Sequence, residues 1–263
     1  MPFTPAHVAA ALPFRRTRLI WSALIVGTIA PDLEYYVRLN ADGRYGHTLA
    51  GTFLVTLPLA FATLWLFHRF VKEPFVELMP DGLQRRLTVY LGGFGFGGAA
   101  RFSLIIASLL AGIVTHLVWD SFTHPNGWPV LHWATLRHRV HMPLIGGVPV
   151  YKILQHASTL LGIAILLVWL LAWYRTAEVC SASPGPSQDG WPKRKSLTLL
   201  AMAGIAAVGA LTRALAGTGI PSSRVAIPRF LGPFVVTLIA IMWWELVVLG
   251  MLRSKRRPQE MPN

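Results

Sequence analysis

Cysteine is all but absent from this chain of 263 residues: Cys180 stands alone. That excludes a disulfide framework and any cysteine-rich metal site. Charge is scarce as well, at 13% of residues, where soluble domains carry about a quarter. Acidic side chains are the rarer sign, 11 against 24 lysines and arginines, for a net charge of +13. No H-E-x-x-H zinc signature and no G-x-S-x-G nucleophile elbow occur. The glycine-rich "GGFGFGG" (92–98) has neither a preceding strand nor a following Lys-Ser/Thr, so it reads as a flexible connection and not a phosphate loop. No internal repeat of solenoid length stands out. What is abundant is apolar: 54% of residues are hydrophobic, including 10 tryptophans and 13 phenylalanines.

A helix of about 20 apolar residues crosses a bilayer core. Five stretches qualify: 49–67, 102–119, 153–174, 196–212 and 230–252. A sixth, 19–37, is interrupted by Pro31, Asp32 and Glu34. The fold class expected is all-α, a polytopic membrane helix bundle with five clear spans plus a broken or re-entrant N-terminal helical segment. At the N-terminus the arginines follow the apolar part, the reverse of a secretory signal, so no cleavable signal peptide is expected.

The basic surplus could point to nucleic acid, but its placement favours a membrane. Most Lys and Arg residues fall in 1–18, 68–101, 175–195 and the C-terminal tail, which alternate spans put on one side. The positive-inside rule makes that side, with both termini, cytoplasmic. The tail "RSKRRP" is a topology anchor that also suits anionic lipid. Nucleic acid is therefore not an expected partner; membrane lipid is. The stretch 176–195 is the one break in composition, rich in Ser, Pro and Gly, and is expected to be a flexible cytoplasmic linker. It separates a helical membrane domain, 1–175, which holds every histidine, from a two-helix anchor or scaffold with a basic tail, 196–263.

On that topology six ligand-type side chains converge at one membrane face. They are Asp32, His47, His116, Asp120, His124 and His156. In "GIVTHLVWDSFTHPNGW" (112–128), His116, Asp120 and His124 recur every four residues. Residues so spaced share a helix face and rise about 6 Å per step. His116 and Asp120 can thus hold one cation between them. His124 reaches the same ion only if the helix unwinds near Pro125, and otherwise serves a second one. Ionisable groups inside membrane spans are costly and usually functional. His68, His132, His138 and His141 carry no such signal, and "LRHRVH" (136–141) reads as a basic surface loop. Arg213 and Glu245, in the last two spans, read as structural.

His7 needs a different geometry. "TPAHVAA" offers Thr4 as an N-cap and Pro5 at the first helical position. A simple topology leaves His7 away from the cluster. A re-entrant hairpin of 4–13 against 19–31, broken at "APD" (30–32), brings it beside Asp32.

The blocks "MPFTPAHVAAALP", "VGTIAPDLEYY", "GHTLAGTFLVTLP", "GIVTHLVWDSFTHPNGW" and "VYKILQHASTLLG" together resemble the bacterial membrane family called domain of unknown function 4184. The resemblance covers about 1–175 and favours the hairpin. It carries no activity. More distantly, the ligand order is similar to that of membrane-bound metal-dependent hydrolases and zinc-dependent phospholipase C. That similarity implies His7, Asp32, His47, His116 and Asp120 as metal ligands, with His124 as the histidine that follows the pair. The later His-x-x-x-Glu pair of the phospholipases is missing, because Leu160 follows His156. One or two ions are then expected, not three.

His and Asp ligands without Cys suit zinc first, with manganese or iron as alternatives. The activity expected is hydrolysis of a phosphodiester or ester, on a small-molecule or lipid-like substrate, by a metal-bound hydroxide. Glu34 and His156 are the candidate acid–base residues. A cation or proton transporter using the same cluster, and a non-catalytic membrane scaffold, are the alternatives. The location expected is a bacterial inner membrane. Oligomeric state is left open.

Overall fold

The computed structural model describes residues 3–143, 146–180, 191–223 and 226–256. Among the described residues, five helices are long and apolar enough to cross a membrane: Leu49–Leu78, Ala99–His132, Val150–Thr176, Arg194–Thr218 and Ala226–Lys255. They correspond to the five apolar stretches. The protein is an all-α polytopic membrane protein, with one small addition described below.

We label the helices used here α1 (Trp21–Ile29), α2 (Leu49–Leu78), α3 (Ala99–Thr123), α4 (Val150–Thr176), α5 (Trp191–Thr218) and α6 (Ala226–Arg256). A 3₁₀ helix, Thr4–Arg16, precedes α1. The chain forms two compact units that interleave along the sequence.

The first unit is Met1–Glu34, Arg44–Leu64 and Phe96–Arg175. The N-terminal segment is the broken hairpin expected. Its two arms are Thr4–Arg16 and α1, and the backbone tightens into a 3₁₀ turn at Ala30–Asp32 where Pro31 interrupts the run. Thr4 does not cap its helix, which starts after Phe3 without a side-chain cap; the hydroxyl is used elsewhere.

The close crossing of α1 and α3 sets everything that follows. A Cβ on Gly27 would overlap the Leu109 carbonyl, and one on Gly112 would come 2.6 Å from the Thr28 nitrogen. Only paired glycines let the two backbones approach this far, as small residues do between membrane helices. α4 is different. Only 6% of its most apolar window is buried, at a mean hydropathy of 2.0, so its apolar surface faces outward. Between α3 and α4, residues read as a loop form a small antiparallel hairpin, β1 (Arg139–Met142) with β2 (Gly146–Pro149). The Arg139 guanidinium donates to the Gly147 carbonyl across it.

The second unit is Tyr35–Gly43, Trp65–Gly95 and Thr176–Asn263. Ala206, Ala210 and Ala214 are buried on α5 at four-residue spacing, and Val236, Ala240 and Val247 are buried on α6. Small residues again let helix backbones approach. Of the expected linker, 181–190 lie outside the described residues, and α5 begins at Trp191, so 191–195 are helical.

Candidate metal centre

The crossing at Gly27 and Gly112 determines where His116 goes. One turn beyond Gly112, its ring lies wholly buried, and its Nδ1 donates to the Thr28 carbonyl at 2.8 Å. That bond fixes the tautomer and leaves Nε2 with its lone pair outward, which is the arrangement a ligating histidine needs. One further turn on, Asp120 is 4% exposed. Its Oδ2 lies 3.3 Å from His116 Nε2. The two share a face, as four-residue spacing on a helix requires.

The N-terminal hairpin supplies two more groups. His7 Nε2 lies 3.4 Å from Asp120 Oδ1, and the His7 ring stacks on His116 with centroids 3.9 Å apart. Trp119 walls its other side, 5.1 Å away. Asp32 follows the Pro31 turn and is fully buried. The Thr4 hydroxyl donates to Asp32 Oδ2 at 2.6 Å. Oδ1 is left facing His116 Nε2 at 3.7 Å and His47 Nε2 at 3.9 Å.

His47 comes from a loop held in place by Glu34. Both oxygens of that carboxylate accept backbone N–H groups, from Arg44, from Tyr45 at 2.9 Å and from Gly46 at 2.8 Å. Helix α2 then starts under a Thr48 cap. His47 Nε2 consequently sits 3.1 Å from Asp120 Oδ2, with its side chain 31% exposed. His47 is thus the one exposed member of an otherwise buried cluster.

Two groups of ligand atoms result, His7–His116–Asp120 and Asp32–His47–His116, each within 4.8 Å. A divalent cation fits them on three counts. First, atoms bonded to one ion at ~2.1 Å lie about 3.0–3.4 Å apart in octahedral or tetrahedral arrangements; the imidazole–carboxylate separations here run from 3.1 to 3.9 Å, and all atoms of each group lie within 4.8 Å. Second, His7 Nε2, Asp32 Oδ1, His116 Nε2 and Asp120 Oδ1 are buried and lack hydrogen-bond partners. Such atoms are expensive to bury unless something else satisfies them. Third, two buried carboxylates face only imidazoles, and among the described residues no lysine or arginine pairs with either. Two negative charges call for a doubly charged partner.

Three expected residues fall outside the two ligand groups. α3 ends at Thr123, so His124 is extended, and its Nδ1 donates to the Asp120 carbonyl at 3.0 Å. Nδ1 is 3.6 Å from Asp120 Oδ2, but the residue belongs to neither ligand group. His156 is exposed on α4, outside both groups, because its face of that helix turns outward. Both Glu34 oxygens accept loop amides, which makes it a positioning residue for His47. Sequence reasoning missed the Thr28 carbonyl and gave Thr4 the wrong partner. A main-chain acceptor carries no residue signature, while Thr4 sits beside a proline where capping is the default reading.

The model of a domain of unknown function, DUF4184, matches residues 1–251, and the chain belongs to that family. No curated protein matches it. No solved structure matches it.

Proposed function

We propose that this DUF4184 protein is a metal-dependent hydrolase of the membrane, cleaving a phosphodiester or another ester in an amphiphilic substrate. One divalent cation is held by His7, Asp32, His47, His116 and Asp120. A single ion is favoured because the two ligand groups share His116, whose other nitrogen is committed to Thr28. Zinc suits this set best, with manganese or iron as alternatives. The observation that carries the reading is the orientation of the cluster. Thr28 and Thr4 take the far atoms of His116 and Asp32, and the remaining lone pairs converge.

Such a cation, when bound, activates water and stabilises negative charge growing on a phosphoryl or acyl oxygen. The protein's own groups do the rest. His47 lies on the exposed side and admits the scissile group. Asp120 lies within 4 Å of four imidazoles, those of His7, His47, His116 and His124, and holds them to one geometry. His124, 26% exposed and donating through Nδ1 to the Asp120 carbonyl, keeps the Nε2 lone pair for taking a proton from the attacking water. The location proposed is a bacterial inner membrane, with both termini cytoplasmic.

Protein purified without chelator is expected to hold about one equivalent of metal by elemental analysis, lost in His116→Ala. A metal-free wild-type protein would sink the reading. A panel of phosphodiesters and esters is expected to give turnover that Asp120→Asn abolishes. Cation flux into vesicles with no hydrolysis would move the site to the transport class.

A further inference from the structure

In the second unit lies a cavity of about 460 Å³, with no residue of the metal centre in its lining. We propose that it is a binding site for the headgroup of an anionic phospholipid. His68, Arg69, Lys72, Gly92, Phe94 and Arg253 line it. They come from the ends of two helices that qualify as membrane spans, α2 and α6, and from the glycine-rich loop that the sequence left without a role.

The walls are built, not incidental. The chain winds as a π turn over Phe67–Val71, the kind of helix irregularity often found at functional sites. The His68 ring stacks on Phe94 with centroids 3.8 Å apart and planes within 9°. Lys72 Nζ donates to the Gly92 carbonyl at 2.7 Å. These two contacts clamp the loop over the end of α2. Across the cavity, α6 meets the same turn at Gly250, where a Cβ would overlap the Phe70 carbonyl. That approach brings Arg253 into the wall, where it pairs with Glu77.

The charge balance identifies the ligand. Arg69, Lys72 and Arg253 face the cavity with Glu73 as the one acidic residue of its lining, and Glu77 offsets Arg253. Arg69 is exposed, lies 5.0 Å over the Phe70 ring and has no carboxylate partner among the described residues. A net positive cavity at the ends of membrane spans suits a phosphate group. The apolar side chains next to it in sequence, Trp65, Met251 and Leu252, are exposed. They offer a surface for acyl chains while the headgroup enters the cavity, which a soluble phosphate ester would not use.

The test uses the full chain in detergent, with phosphatidylglycerol, phosphatidylcholine and soluble glycerol phosphate as probes and native mass spectrometry as readout. Phosphatidylglycerol is expected to bind at least tenfold tighter than phosphatidylcholine and glycerol phosphate. Arg69→Gln should cut that affinity about fivefold, the scale of one surface cation. Arg175→Gln removes the same charge from an exposed position at the end of α4 and should leave it unchanged. No preference for the anionic lipid, or equal losses in both variants, would overturn the site. Glycerol phosphate binding as tightly as the lipid would overturn the lipid as its ligand. Every one of these readings is separate from metal content and hydrolysis.

Discussion

The spans that hold α3 and α4 have most apolar windows of the same mean hydropathy, 2.0, and each helix carries a histidine in a polar patch of an otherwise apolar run. In α3 the patch is buried and organised around Asp120; in α4 His156 faces outward. The difference does not lie in the histidines. It lies in Gly112, which lets α1 come close enough to offer the Thr28 carbonyl, and in the N-terminal hairpin that brings His7 and Asp32 to the same face. His116 becomes part of a site because a neighbouring backbone takes up its spare nitrogen.

The largest break in this comparison is Gly112→Leu. The added side chain has nowhere to go but into the backbone of α1. Overpacking of this kind costs about 3 kcal/mol or more when the clash is with main chain. Loss of bound metal and a clear fall in Tm are expected. Ala157→Leu, an equal insertion at an exposed position of α4, is expected to change neither. Equal effects from both would mean that the α1–α3 crossing does not hold the site. Next comes Asp120→Asn. It removes one of two buried charges and the oxygen nearest His47, and metal affinity is expected to fall by at least about 100-fold. Chelator competition on purified protein measures it.

How much of this was legible in the sequence follows from the same contrast. The five spans were, since length and hydropathy suffice when the solvent is lipid. The His116–Asp120 pair was too, because a four-residue spacing fixes a shared face. Convergence of Asp32 and His47 followed from counting spans. His156 passed the same count, because topology gives depth but not direction around the helix axis. Glu34 looked catalytic by residue type, and only the backbone amides of 44–46 reveal that its oxygens are engaged. The hairpin of Arg139–Met142 with Gly146–Pro149 was missed because its arms are short and the first overlaps 136–141, which reads as a basic loop.

A smaller change sharpens the comparison without breaking it. Thr4→Val keeps the shape of the side chain and removes the hydroxyl that donates to Asp32 Oδ2. Partners of this kind are worth about 10- to 100-fold in metal affinity. The protein should fold and retain metal at high concentration, yet release it to weaker chelators than the wild type does. A Thr4→Ser variant, which restores the hydroxyl, should recover most of the loss. Failure of Ser to rescue would assign the effect to packing.

The smallest effect expected is that of His156→Ala, and it is the most direct test of direction against depth. The residue sits on a membrane span that the sequence puts at the same face as the cluster, so a reading by depth alone makes it a ligand or an acid. Its exposure on α4 argues the opposite: lipid or solvent, not the cluster, surrounds the imidazole. Metal content and affinity in His156→Ala should therefore match the wild type within about twofold, a free-energy change of under ~0.5 kcal/mol. His116→Ala, an identical truncation on α3, should empty the site. If His156→Ala releases metal as His116→Ala does, α4 must turn inward when the ion binds, and the histidine on the outward face belongs to the centre after all.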